Sequence, residues 1–179
     1  MTSFIRAALS FGALFGAMLT SSHAFAQEEQ TLKAFASWQG RGQIFETGPE
    51  RSTFVGSFTG MIFVETEKGP LDAGFMVCPA IVDVNTTDGT QEGKGRCTIT
   101  AKDGSRAYSE IACKGVNMVG CDGTFTFTGG TDRFEGITGG GPITIRSGLQ
   151  DSAASAGNAI QESAGGIIIW PKLTYKLKQ

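Results

Sequence analysis

Residues 129–141 read GGTDRFEGITGGG and lie between two short alternating runs, TFTFT at 124–128 and PITIR at 142–146. Six of the thirteen residues are glycine, the residue that admits positive φ and close backbone approach. Only Phe134 and Ile137 are large and apolar. A glycine-rich connection between two strands, carrying one or two plugs, predicts a corner where a sheet bends or closes. Gly130, Phe134, Gly136 and Gly139 are its expected structural residues. The rival reading is an anion cradle. No helix pattern follows to offer an N-terminus, and no lysine completes a phosphate loop.

Working outward from that corner, the hydrophobic period is two nearly everywhere. Ala34, Ala36, Trp38 and Ile44 share one face of a run that begins at Leu32. Phe54, Phe58, Ile62 and Val64 share the next, with Gly56 and Gly60 on the same side. Met76, Cys78, Ala80, Val82 and Val84 form a third, and Cys97, Ile99 and Ala101 return after a turn at 86–89. Asp103-Gly104 is a strong hairpin signal and leads to Ala107–Cys113. In the last run Leu173, Tyr175 and Leu177 alternate with lysines, which places Ile168 and Trp170 on the face opposite Ile167 and Ile169 and makes them an expected outer patch. About eight strands with short turns, and no amphipathic helix, predict an all-β, up-and-down antiparallel barrel. Residues 149–165, LQDSAASAGNAIQESAG, break the pattern and are expected to form a flexible small-residue loop.

The first residues read as an export signal. Arg6 precedes an uncharged apolar run, 7–20, and Ala24-Phe25-Ala26 is a small-x-small cleavage site. Residues 1–26 are thus expected to be removed near Ala26, leaving 27–179 as a single domain of 153 residues, periplasmic or secreted. Taking Arg6 from the 15 basic residues leaves 14 against 17 acidic ones, a net charge of −3. That balance excludes a basic nucleic-acid face, and the threonine-rich and lysine-rich strands lack the outward apolar band of a membrane-spanning barrel. The sole histidine, His23, lies in the leader. The exported chain would have no histidine-based triad and no histidine-ligated metal, and neither a metal nor another cofactor is expected.

Four cysteines, Cys78, Cys97, Cys113 and Cys121, contain no C-x-x-C pair. In an exported chain they read as two disulfides. Opposite positions about the 86–89 turn place Cys78 against Cys97 and Met76 against Ile99. Folding the later hairpin about Asn117 places Cys113 against Cys121. The pairing 78–97 with 113–121 is favoured; 97–113 with 78–121 stays open.

Gly129–Gly136, followed by Gly139, resembles the strand–turn segment of the allene oxide cyclase and dirigent barrels, and most of all exported bacterial proteins described as allene oxide cyclase barrel-like. The resemblance implies an eight-stranded, calycin-like barrel whose hydrophobic interior can hold a ligand. It supplies no active site, because the polar groups of the cyclase cavity match no residue here. Asp132 stands where the family often has glycine.

Trp38, Phe54, Phe58, Phe125, Phe127, Ile143, Ile145 and Tyr175 are the candidate ligand-binding residues, with a fully packed core as the alternative. Glu110 and Tyr108 are the one weak catalytic candidate. A two-residue turn at Asp103-Gly104 would face them inward, and a three-residue turn, favoured by the cysteine pattern, would face them to solvent. The leading expectation is an exported soluble barrel that binds a small hydrophobic molecule without catalysis. Two alternatives accompany it: a structural or partner-binding envelope protein, and a cofactor-free cyclase or isomerase that acts by pocket shape. Oligomeric state is left open.

Overall fold

The computed structural model describes residues 28–154 and 159–178. The export signal and its cleavage point lie outside the described residues. Eight strands follow in chain order: β1 Gln30–Gly48, β2 Arg51–Thr66, β3 Gly69–Asn85, β4 Thr90–Thr100, β5 Arg106–Val116, β6 Gly120–Gly130, β7 Thr138–Ala154 and β8 Ala159–Lys176. Each pairs antiparallel with its neighbour and β8 pairs with β1, closing an up-and-down barrel. The expected fold class is the one observed. A single 3-10 turn, Asp132–Phe134, is the only helical element among the described residues.

The glycine-rich stretch is a corner between β6 and β7. Ile137 is buried, while Phe134 is half-buried beneath the Arg133 guanidinium, 4.7 Å from its ring centre. Asp132 adopts φ 52°, a left-handed conformation that glycine favours and aspartate tolerates. Gly130 and Gly139 are held by crowding as well, since a Cβ on either would collide with a carbonyl oxygen, of Phe134 and Thr174 respectively.

Three expectations are corrected. First, the 149–165 segment is not a long loop: β7 runs to Ala154, β8 starts at Ala159, and Gln150↔Ala164 through Ala154↔Ile160 are in register. Alanine, serine and glycine carry little hydrophobic signal, so alternation is faint in the sequence although the backbone ladder is continuous over these pairs. Second, Ile168 and Trp170 are 2% and 1% exposed, whereas Ile167 and Ile169 are 39% and 37% exposed. Leu32 pairs with Leu173 and Ala34 with Trp170, so β8 has one residue more than β1 at Pro171-Lys172. That bulge reverses the phase of the strand, and counting backward from Leu173 assigns every earlier side chain to the wrong face. Third, Cys113 faces Gly123 and Cys121 faces Gly115, two residues away from the expected register. A shift of two keeps the face, so Cys113 and Cys121 still join diagonally, with Cα atoms 5.6 Å apart.

The other disulfide, Cys78–Cys97, and the pairing Met76↔Ile99 are as expected. The β4–β5 turn has three residues between Ala101 and Ser105, with Gly104 at φ 87°. The outer face of the barrel is unevenly charged. Val55, Ser57, Thr59, Met61 and Phe63 of β2, and Phe75, Val77, Pro79 and Ile81 of β3, form an uncharged side. On β4 and β5, Glu92 meets Lys94 and Lys114 at 3.3 and 3.2 Å, and Arg96 meets Glu110 at 3.1 Å.

Candidate functional site

The barrel interior divides into two halves. Toward the corner it is packed: Ala34, Ala36, Phe125, Ile143, Trp170 and Leu173 belong to one buried cluster. Phe125 meets Trp170 edge-on at 5.6 Å and Phe127 at 5.0 Å. Toward the other end, where the β1–β2, β3–β4 and β5–β6 turns lie, a cavity of about 150 Å³ opens. The aromatic residues are thus divided, some packed in the closed half and others lining the cavity.

Glycines on β1 and β2 make the cavity's aromatic wall. A Cβ on Gly40 would sit 2.6 Å from the Phe58 ring, and one on Gly42 would sit 2.6 Å from the Phe54 ring. These rings therefore lie across the strands and leave the centre open. Trp38 stands edge-on to Phe58, 5.3 Å between centres at 78°, and Phe54 follows at 5.5 Å from Phe58. Gly56 and Gly60 serve close contact: a Cβ on either would meet backbone oxygen of β1.

The facing wall is rich in sulfur. Both disulfides and Met76 line it, with Ile111 and Ile145 beside them. Sulfur and aromatic groups are both polarisable and suit a flat apolar guest. The rim is held by backbone hydrogen bonds between successive turns and from β7 to the last of them: Thr86 N–H donates to Glu50 O at 2.9 Å, Asn117 N–H to Gly89 O at 2.8 Å and Ser147 N–H to Val119 O at 3.1 Å. Met118, at φ 65°, and Val119 project from this rim as exposed apolar residues.

Polar groups in the cavity are few. Gln91 Nε2 donates to Gly120 O at 3.2 Å. The Trp38 indole Nε1 is buried and has no hydrogen-bond partner among the described residues. Glu162, from β8 opposite Gly42, is only 8% exposed and lines the cavity.

Of the sequence candidates, Trp38, Phe54, Phe58 and Ile145 line the cavity. Phe125, Phe127 and Ile143 belong to the packed half, and Tyr175 lies at the closed end, where its hydroxyl donates to Gln30 Oε1. Tyr108 and Glu110 point outward, Glu110 being engaged by Arg96 Nε at 3.1 Å. Glu162 was not among the candidates, because its stretch lacked the large residues that mark a strand. The signal was the spacing of Glu162, Ala164, Gly166 and Ile168, every second residue. No group of three or more histidine, cysteine, aspartate or glutamate side chains is arranged to hold a metal among the described residues, and no described helix is long and apolar enough to cross a membrane.

No protein-family model matches the chain, and no curated protein does. Among solved structures it is similar to a pterocarpan synthase dirigent protein, at 13% identity and a TM-score of 0.42, over 91% of this chain and 99% of that one.

Proposed function

We propose that the barrel binds a small, largely apolar molecule in its half-open interior without transforming it covalently. One observation carries this reading: the cavity is apolar, walled by Trp38, Phe54 and Phe58 and by two disulfides, with a rim fixed by backbone hydrogen bonds. Ligand sites combine an apolar lining with a few placed polar groups and are largely formed before binding. Cleavage of residues 1–26 and release from the cytoplasm accompany this proposal, since disulfides persist in oxidising compartments. Native mass spectrometry of the protein after exposure to a lipid extract tests it. A stoichiometric bound mass is expected, and its absence across apolar extracts would remove the reading.

A second reading takes the uncharged outer side of β2 and β3 as a contact surface for another copy of this chain. Phe75 and Ile81 are exposed there, and Phe35 stacks on Phe63 at 5.4 Å. A copy docking on it would desolvate fewer charged side chains than one docking on the side of β4 and β5. Sedimentation at micromolar concentration, with Phe75→Glu as the disrupting variant, distinguishes an assembly from a monomer.

A further inference from the structure

The cavity pairs one buried carboxylate with three aromatic rings, and that pairing selects a charge type. Glu162 lies opposite Gly42 of β1, the residue over which the Phe54 ring rests. Glu162 of β8 and the Phe54 ring of β2 thus stand at the same level, with Gly42 of β1 between them. Phe58 lies over Gly40, one inward-facing position deeper, and Trp38 lies beyond it. A guest coming from the rim meets the acid and then the rings.

Both features attract a cation. Aromatic faces carry negative quadrupole charge, worth more when water is excluded. A carboxylate withdrawn from water gains most from a charged donor, and its two oxygens accept about four hydrogen bonds, so it can take new donors beside those it already has. Lys94, the one basic residue along the cavity, has its ammonium on the outer face, 3.3 Å from Glu92 and largely exposed. An alcohol would use the carboxylate but gain little from the rings, and a carboxylic acid anion would be repelled by Glu162.

Resting on the binding function proposed above, we infer that the guest is a small organic amine, protonated at its head and apolar in its body, with the ammonium at Glu162. Its body is limited to about one ring, since an apolar cavity of this volume, 150 Å³, is known in other proteins to take benzene.

Titration calorimetry with benzylamine, benzyl alcohol, benzoate and toluene tests this directly. Benzylamine is expected to bind at least about tenfold more tightly than benzyl alcohol or toluene, the effect of one charge-assisted hydrogen bond, and benzoate not at all. Glu162→Gln should erase that preference and Glu162→Asp should restore part of it, with an unchanged melting temperature reporting an intact barrel in both. Equal binding of the amine and the alcohol, or a preference that survives Glu162→Gln, overturns the amine assignment and leaves the pocket reading standing. Failure of all four probes removes both.

Discussion

Gly139 and Gly136 both belong to the glycine-rich corner, but they are not equivalent. Gly139 has φ 120°, and a Cβ there would run into the Thr174 carbonyl oxygen. Gly136 has φ 68°, and its Cβ would meet the flexible Lys178 side chain at 3.1 Å. Gly139→Ala should therefore cost about 3 kcal/mol or more, and Gly136→Ala about 1 kcal/mol, read from urea midpoints. The valine variants should follow the same order and lose folding before any ligand. Charge acts at this scale too. Asp88 and Asp103 are held below the ordinary aspartate value of 3.8 by the backbone N–H groups of Thr90 and Ser105. The Thr144 hydroxyl and then Arg146 do the same for Asp122, and Lys114 and Lys94 hold Glu92 below 4.5. A carboxyl with a lowered folded-state value stabilises fully above its ordinary value and loses that contribution as pH falls through the lowered one. The melting temperature should thus change little from pH 7 to pH 5 and fall below about pH 4.

At the scale of elements, the bulge at Pro171-Lys172 decides which residues of β8 are core. Trp170→Ala should cost about 3–5 kcal/mol, whereas Ile169→Ser should stay within about 0.5 kcal/mol. Equal costs would refute the phase reversal. Alternation and turn residues made most strands legible: Met76, Cys78 and Ile99 meet as their spacing requires. The phase of β8 was not legible, because a bulge inserts one residue without leaving a compositional mark. Nor was the pairing of 149–154 with 160–165, because alanine and serine add little to a hydrophobic period. The candidate site was half legible for the same reasons: Trp38, Phe54 and Phe58 announced themselves by size, while Glu162 sat in a stretch read as loop. The β5–β6 hairpin shows the limit of disulfide arithmetic, since a register error of two keeps Cys113 and Cys121 on one face. Removing either disulfide by paired Cys→Ser substitution should cost about 3 kcal/mol, measured by denaturation.

The molecule as a whole is a barrel filled at one end and hollow at the other, and substitutions should respect that division. Ala36, fully buried in the packed half, has no room to grow; Ala36→Phe should cost about 3 kcal/mol or more through overpacking. Ala80 lines the hollow half, so Ala80→Phe should fold with little loss of stability and abolish ligand binding, as denaturation and calorimetry together would show. The closure of β8 on β1 has a further consequence in time. Gln30 and Tyr175 are 145 residues apart along the chain, whereas Cys113 and Cys121 are 8 apart. Local pairing precedes distant pairing because ring closure grows costlier with chain length. In oxidative refolding the 113–121 bond should be captured early, and until the last strand arrives the nascent sheet has two bare edges, a species prone to cross-pair between chains. Quenching the thiols at successive times would show that order.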